Sequence, residues 1–166
     1  MTAERGILAV GGYLPRNRLP KTVAKAANSW FAPSLPARDG ERRSFANWDE
    51  DALTMAVEAG RTCLGNADAA SVSRVEFAST SMPFADRSNA GVVREALDVP
   101  ATAAVADTGG SLRAASSGLI RMLGDSGGPG LLIASDCIDA KPASSQEMQF
   151  GHGAAAVLVG VGEPVA

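Results

Sequence analysis

The sequence is poor in the residues that most often bind metal ions. Its 166 residues include only two cysteines, Cys63 and Cys137, and one histidine, His152. The cysteines lie far apart and form no CxxC pair, so a zinc site with four thiolate or imidazole ligands cannot be assembled within one chain. We therefore predict no metal site.

An excess of positive charge and long apolar runs are also absent. The formal net charge of −3 and the pI near 5.1 provide no basic field for nucleic acid or an anionic membrane. No apolar run reaches the about 18 residues that span a bilayer, and the first residues, MTAERGILAVGG, lack the layout of a signal peptide. We expect a cytoplasmic protein that binds neither nucleic acid nor membrane.

What is present is the composition of a globular domain. Hydrophobic residues make up 46% of the chain and charged residues 20%, which is usual for soluble domains. A chain of this length buries roughly 70% of its unfolded surface on folding. We expect residues 1–166 to form one domain.

Short apolar runs alternate with helical periodicity, the pattern of an α/β sheet covered by helices. The predicted strands are 6–12, 75–80, 102–107, 130–136 and 153–161. The predicted helices are 21–30, 49–64, 88–97 and 111–123, and residues 31–47 are predicted to form a loop. Asp49 is the predicted N-cap of the second helix.

The segment from Ala104 to Leu119, AVADTGGSLRAASSGL, reads as strand, glycine turn and helix. A helix that begins after such a turn presents free N–H groups, which stabilise an oxyanion, a phosphate or a nucleophile. Most turns of this kind serve packing alone. Ser111 lies at the predicted start of this helix, and a capping hydroxyl is the simplest interpretation of it.

Several motifs follow one another along the chain: GILAVGGYLP, GERR, DEDALTMAVEAG, VEFASTSMPFADRSNA, DTGGSLRAASSGL, LLIASDC and FGHGAAAVLVG. In this order they resemble the N-terminal half of the thiolase superfamily, and most of all 3-hydroxy-3-methylglutaryl-CoA (HMG-CoA) synthase and ketoacyl-acyl carrier protein synthase III. The resemblance implies a single βαβαβαββ half of a two-half fold, with a mixed five-stranded sheet and helices on both faces.

The same resemblance indicates that the usual catalytic side chains are missing. Those enzymes carry a cysteine nucleophile in the pattern D-x-x-x-x-C-x-G-G-T-x-A-L, and aligning its first residue with Asp107 puts Leu112 at the cysteine. Thr80 replaces the glutamate that acts as general acid and base in the synthase. The catalytic histidine and its partner belong to the second half of the fold.

Substitutes for the missing groups are weak candidates. Ser111 adjoins the nucleophile position but has no base nearby in the sequence. His152 stands where the family carries aspartate in GDGA, and between two glycines it suits a turn residue that hydrogen-bonds backbone. Cys137 follows a buried strand and Cys63 lies near the apolar stripe of its helix, so both are interpreted as packing thiols.

Trp30 with Arg42 or Arg43 roughly matches a Trp and Arg pair that binds the adenine nucleotide of CoA in the synthase III branch. The spacing is about two residues longer here. An Arg guanidinium suits a phosphate or an aromatic face, although a solvated arginine cluster and a tryptophan packed in the core or on a partner are the simpler interpretations.

Two functions follow from the resemblance. In the first, the chain is a subunit of an assembly that forms or cleaves C–C bonds in acyl-CoA or acyl-carrier substrates. It is then inactive alone and pairs with another thiolase-like half, a full subunit or a second copy, and a zinc-ribbon/OB-fold protein is a further candidate companion. In the second, it is a non-catalytic structural or docking module. A non-covalent aldolase-type reaction in the same pocket is a third interpretation by analogy.

Overall fold

Residues 5–65 and 67–163 are described by the structure, a computed structural model. The ends of the predicted domain, residues 1–4 and 164–166, lie outside the described residues. The strands are β1 (Arg5–Tyr13), β2 (Asn17–Pro20), β3 (Arg42–Phe45), β4 (Arg74–Ala78), β5 (Ala104–Thr108), β6 (Gly130–Asp136) and β7 (Gly153–Val161). The helices are α1 (Lys21–Asn28), α2 (Ala52–Leu64), α3 (Asn89–Ala96), α4 (Ala114–Gly124) and α5 (Ser145–Gln149).

Five strands form one mixed sheet in the order β1-β7-β6-β4-β5, and β2 pairs with β3 in a separate ribbon. Strand β4 runs parallel to β5 and β6, whereas β7 is antiparallel to both β6 and β1. The near-continuous apolar sequence of β6 suits a strand that is buried on both faces. The predicted mixed five-stranded α/β sheet is therefore confirmed.

Helices cover both faces of the sheet. The main core lies under α2 and α3, around Phe77, Leu131 and Ile133. A smaller core lies under α4, where Met122 packs with Leu132 and Val159. Alternation along β6 sends Leu131 to the first face and Leu132 to the second, as the pleat requires.

Helix α2 sits directly on β1 at Gly11. A Cβ atom built on Gly11 would lie 2.3 Å from the backbone nitrogen of Cys63 and 2.5 Å from the carbonyl oxygen of Ala59. Only glycine allows the two backbones to approach this closely. Gly11, the first glycine of the GG pair near the end of β1, thus determines how closely α2 packs on the sheet.

Two local predictions are wrong. The predicted loop 31–47 contains β3, which pairs with β2 in antiparallel register from Asn17 opposite Phe45. The N-cap of α2 is Asp51, not Asp49, because Asp51 and Thr54 form a reciprocal capping box. Short elements such as β3, with four residues, and α5, with five, are missed by periodicity because they span at most two repeats of the pattern.

Among the described residues, no helix has the length and hydrophobicity that crossing a bilayer requires.

Candidate functional site at the carboxyl edge of the sheet

The carboxyl ends of the three parallel strands meet at one edge of the sheet. Strands β4, β5 and β6 end at Ala78, Thr108 and Asp136, and the antiparallel β7 begins opposite Asp136 at Gly153. The turns that follow these strands carry the residues singled out in the sequence: Thr80, Ser111, Leu112 and His152. Ligands of open α/β sheets bind at this edge, which makes it the candidate site.

The turn between β5 and α4 does not place Ser111 at the helix N-cap, which corrects the prediction for this residue. Helix α4 begins at Ala114, and its N-cap is Arg113, whose side chain makes no capping hydrogen bond. The hydroxyl of Ser111 instead accepts a hydrogen bond from the backbone N–H of Arg113, at 3.1 Å. Gly110 has a φ of 76°, so the chain turns sharply here and the helix starts late.

Leu112 lies in the same turn, just before α4, and its side chain is 70% exposed. The position that the resemblance assigns to the nucleophile is therefore at the head of α4, past the end of β5, as expected. It is open to solvent in this chain. The leucine side chain at this point has an apolar surface and no reactive group.

Helix α4 is buried on one side only. Ala114, Gly118 and Met122 are buried, whereas Ile120 and Leu123 are exposed, as is Leu112 in the turn before the helix. Ile120 and Leu123 are three positions apart and therefore lie on one side of the helix. These apolar side chains are not covered by any described residue.

Beneath α4 lies a buried carboxylate. Glu76 of β4 is 3% exposed, accepts a hydrogen bond from the hydroxyl of Thr108 at 2.9 Å and pairs with the guanidinium of Arg121. A buried carboxylate is stabilised only when such partners are present. The pair joins α4 to the central strand.

Asp107, the first residue of the nucleophile motif, faces the other side of the sheet. Its two carboxylate oxygens accept the backbone N–H groups of Asn89 and Ala90, at 2.8 and 2.6 Å. A carboxylate at the first turn of a helix satisfies free N–H groups and complements the helix dipole. Asp107 thus anchors α3 to β5.

Thr80 is hydrogen-bonded to a carboxylate that the sequence analysis did not identify. Its backbone N–H and its hydroxyl both donate to Oδ1 of Asp136, at 2.7 and 3.0 Å, and the hydroxyls of Ser79 and Ser81 lie 3.1 and 3.3 Å from the same atom. A carboxylate is thus present at this edge, on β6 instead of at position 80. The sequence signal for this carboxylate is the position of Asp136 at the end of the apolar run GLLIASD.

His152 is buried and makes the backbone hydrogen bonds expected of a turn residue. Its Nδ1 accepts the N–H of Ala46 at 2.9 Å, so its proton is on Nε2, which lies 3.1 Å from the carbonyl oxygen of Ile138. His152 also exchanges two hydrogen bonds with Ser44 of β3. Strand β3 is thereby attached to the carboxyl edge of the main sheet.

The thiol of Cys137 lies 3.4 Å from Nδ1 of His152. Burial raises the pKa of the Cys137 thiol, and the negative charges of Asp139, Asp51, Glu50 and Asp136 raise it further. The thiol therefore stays protonated at neutral pH, and the thiolate that nucleophilic catalysis needs is disfavoured.

Trp30, Arg42 and Arg43 are all outside the main sheet. Trp30 follows α1, is 84% exposed and stacks in a tilted arrangement on Phe31, with 4.6 Å between ring centroids. Arg42 and Arg43 lie on β3, paired with Pro20 and Leu19 of β2. The structure thus attaches the arginines to the carboxyl edge through β3 and places Trp30 after the carboxyl end of α1.

The described residues contain no group of three or more His, Cys, Asp or Glu side chains arranged to hold a metal ion.

The relatives found by sequence comparison are described as hydroxymethylglutaryl-CoA synthases. The chain is 33% identical over 164 residues to a hydroxymethylglutaryl-CoA synthase of Aeropyrum pernix, and the aligned region covers 95% of this chain and 45% of that protein. It is 29% identical over 170 residues to the hydroxymethylglutaryl-CoA synthase of Methanocaldococcus jannaschii, covering 97% and 49%. The chain spans about half the length of the curated relatives it matches. No family model matches the chain.

Solved structures share the fold over nearly the whole chain. The priming β-ketosynthase of the R1128 polyketide pathway superposes with a TM-score of 0.82 at 22% identity, covering 98% of this chain and 52% of that one. MvaS in complex with 3-hydroxy-3-methylglutaryl coenzyme A gives a TM-score of 0.82 at 19% identity, covering 97% and 41%. This chain has the thiolase fold over about half the length of these proteins and is similar in sequence to the hydroxymethylglutaryl-CoA synthases.

Proposed function

We propose that this chain is a subunit of an assembly that forms or cleaves C–C bonds in acyl-CoA or acyl-carrier substrates, and that another chain supplies the nucleophile. The similarity to hydroxymethylglutaryl-CoA synthases runs along 95% of the chain and supports the reaction class. The single observation that carries the proposal is Leu112, which is 70% exposed in the turn before α4, at the position that the resemblance assigns to the nucleophile.

The other groups at the carboxyl edge support a chain without a nucleophile of its own. The hydroxyl of Ser111 is engaged with the backbone of its own turn, and an unactivated hydroxyl is a poor nucleophile. The raised pKa of Cys137 keeps that thiol protonated. Oδ1 of the Asp136 carboxylate is held by hydrogen bonds from the backbone N–H and the hydroxyl of Thr80.

The exposed face of α4 supports dependence on a partner. Ile120 on this face and Leu112 in the turn before it are each 70% exposed, and exposed apolar patches mark interaction sites. The proposed partner is a second thiolase-like half, a full thiolase-like subunit or a second copy of this chain. In this proposal residues 1–166 correspond to the N-terminal half of the two-half fold, and a zinc-ribbon/OB-fold protein is a further candidate member.

A CoA thioester is the proposed substrate, with Trp30, Arg42 and Arg43 as contacts to its nucleotide. An exposed indole can stack on adenine, and guanidinium groups suit phosphates. The Nε of Arg43 is buried and has no hydrogen-bond partner among the described residues. MvaS, which has the same fold, was solved with 3-hydroxy-3-methylglutaryl coenzyme A.

The alternative function is a structural or docking module without any part in the chemistry. The inert side chains at positions 112 and 80 favour it. Both functions predict a partner, so they differ only in whether residues of this chain contact the reacting atoms.

The experiment is to isolate the native assembly, determine the masses of all its chains and measure acyl-CoA turnover with Leu112→Arg and Ser111→Ala. If turnover falls while the assembly remains intact, the site includes this chain. Unchanged turnover in both variants favours the docking module. A compact monomer that copurifies with no other chain, shown by light scattering at micromolar concentration, would contradict both functions.

A further inference from the structure

We infer that the groove between α2 and α3 binds a helical segment of another protein, one that carries an apolar stripe and has lysine or arginine side chains at one end. Helices α2 and α3 cover the main core, on the face of the sheet opposite to α4. The partner in the proposed function covers α4 instead, so this inference goes beyond that function and does not depend on it.

The groove has an apolar floor. Its volume of about 540 Å³ is within the range of about 300–1,000 Å³ that is usual for binding sites. Val57 of α2 and Val92 of α3 line it, are half-buried and pack against the main core. The α2 side extends from Leu53 to Arg61, which is about 12 Å along the helix. An apolar surface of this length between two helices suits the side chains from two turns of a third helix.

The end of the groove that lies just before α2 is acidic. Residues 49–60 include four acidic side chains and no basic one. The hydroxyl of Tyr13 donates to one oxygen of Glu50, and the backbone N–H of Asn47 donates to the other at 2.7 Å. The side-chain amide of Asn47 donates to Asp49 at 2.9 Å. These neutral donors fix both carboxylates and leave their charge in place, and they lower the pKa of Glu50, which keeps it ionised at neutral pH.

The nearby cations do not cancel this charge. Arg61 lines the groove but is paired with Glu58 at 2.6 Å, so that pair adds no net charge. Arg16 lies in an adjoining hollow with Asp49 and Glu50 and forms no ion pair with a described residue. One guanidinium is thus set against two carboxylates, and the acidic end remains net negative. Charge complementarity therefore favours a cationic group on the ligand.

A helix suits this surface better than a small amine. Trp48 directly precedes Asp49 and is 91% exposed. A ligand confined to the groove would leave this indole in water, whereas a helix that extends past the acidic end would cover it. Tryptophan is enriched among the residues that dominate the binding energy of protein interfaces, and the face of its ring attracts cations. A lysine or arginine at the end of the bound helix would meet the indole and the two carboxylates together.

The test uses the full chain and three fluorescently labelled helical peptides of about 16 residues. The first peptide has leucines at positions i, i+3, i+4 and i+7 and two lysines in its last turn. The second has glutamines in place of the lysines, and the third has glutamates. Fluorescence anisotropy gives each dissociation constant. We expect the lysine peptide to bind about tenfold more tightly than the glutamine peptide, and the glutamate peptide to bind most weakly.

Four variants locate the binding, and circular dichroism checks that each is folded. Asp49→Lys should reverse the order of the lysine and glutamate peptides, whereas Asp39→Lys, the same change at an exposed position outside the groove, should not. Val57→Thr adds a hydroxyl to the apolar floor and should weaken binding of the lysine peptide by about fivefold. Trp48→Ala should weaken it by about fivefold or more.

Three results would overturn the inference: equal binding of the three peptides, no binding of the lysine peptide, or equal effects of Asp39→Lys and Asp49→Lys. A dimer of the isolated chain that Asp49→Lys dissociates in analytical ultracentrifugation would also overturn it, because a second copy would then occupy the groove.

Failure here and failure of the proposed function are distinguishable. A chain that binds no lysine peptide but turns over acyl-CoA in its native assembly supports the function and contradicts the inference. A chain that prefers the lysine peptide but copurifies with no partner on α4 supports the inference and contradicts the function.

Discussion

A leucine at position 112 changes what the turn before α4 can do. The backbone still leads from the end of β5 to the start of the helix, and helix N-termini stabilise negative charge. The side chain, however, can neither accept an acyl group nor exchange a proton. In the proposed function, this position lacks a single thiol, which one substitution would supply.

Leu112→Cys should take up an acyl group when the native assembly is supplied with acetyl-CoA. The new thiol would lie at the head of α4, where the N–H groups and the helix dipole favour a thiolate. Mass spectrometry of the intact chain should show one added acetyl group, absent in the native sequence and in Ser111→Cys. If Leu112→Cys remains unmodified in an assembly that turns over acyl-CoA, position 112 is not at the reacting centre.

Trp30 provides a test of CoA binding with a matched control. Its indole is 84% exposed and that of Trp48 is 91% exposed, so the two differ in place but hardly in accessibility. Trp30→Ala should weaken CoA binding by about threefold to tenfold, the value of one aromatic stacking contact, and Arg42→Ala or Arg43→Ala should weaken it similarly. Trp48→Ala should have no effect in calorimetric titration. Equal effects at both tryptophans would exclude a specific site.

The Tyr13–Glu50 pair should make stability depend on pH. The hydroxyl of Tyr13 donates to the Glu50 carboxylate, and this bond raises the pKa of Tyr13 above its ordinary 10.0 and lowers the pKa of Glu50 below its ordinary 4.5. The contribution of Glu50 is full above pH 4.5 and is lost as the pH falls through its lowered value. The contribution of Tyr13 is full below pH 10.0 and is lost as the pH rises through its raised value.

Tyr13→Phe should therefore cost about 1 kcal/mol of unfolding free energy at neutral pH, a value reduced by the solvent around the pair. Urea denaturation across the pH range should show this cost shrinking toward acid as Glu50 is protonated. Glu50→Gln serves as the control. Its free energy of unfolding should lack the decrease at acid pH that protonation of Glu50 causes. A cost that stays constant down to the lowest pH would contradict the pairing.

At the scale of elements, α2 packs closely on β1 because residue 11 has no side chain. The Cβ of an alanine at position 11 would overlap backbone atoms of α2, and backbone cannot move aside as a side chain end can. The adjacent Gly12 is different, because a Cβ there would meet its nearest neighbour, the carbonyl oxygen of Ala154, at an ordinary 3.7 Å.

Gly11→Ala should lower the free energy of unfolding by about 3 kcal/mol or more, at the upper end of overpacking costs. Gly12→Ala should change it by less than about 1 kcal/mol. Chemical denaturation of the two variants checks both values. Similar stabilities would show that α2 is not seated on β1 at this glycine.

At the scale of the whole molecule, one side of the domain is less protected than the other. Strand β5 pairs only with β4 and is exposed along most of its length, and α4 is covered on one side only. Helix α2, by contrast, packs into the main core. Regions with few buried contacts open at lower free energy.

Hydrogen exchange should therefore be faster in α4 and β5 than in α2 and β6 of the isolated chain. On assembly with the proposed partner, α4 should gain protection of about tenfold or more, whereas exchange in α2 should not change. Mass spectrometry of peptic fragments measures both regions in one experiment. Protection that appears in α2 and not in α4 would place the interface on the opposite face of the sheet.

The order of strands and helices could be predicted from the sequence because periodicity and turn residues are local. The long apolar run of β6 and the repeat along α2 are examples: β6 has the predicted bounds, and α2 begins at Ala52 instead of at position 49. Strand β3 could not be predicted, since four residues carry no clear alternation and its partner β2 is distant in the chain. The start of α2 depends on the reciprocal capping hydrogen bonds between Asp51 and Thr54, which composition does not reveal.

The sequence by itself determined the α/β fold class, the leucine at position 112 and the strand–turn–helix around it, because these depend on residue type and short spacing. Only the tertiary structure decided which groups meet at the carboxyl edge. Thr80 and Asp136 are 56 residues apart in the chain, and His152 reaches Ala46 across 106. Likewise, α4 is apolar on more than one side, and only packing against Leu132 and Val159 determines which side is buried. Contacts between distant residues arise from the register of the sheet, and that register is a property of the folded molecule.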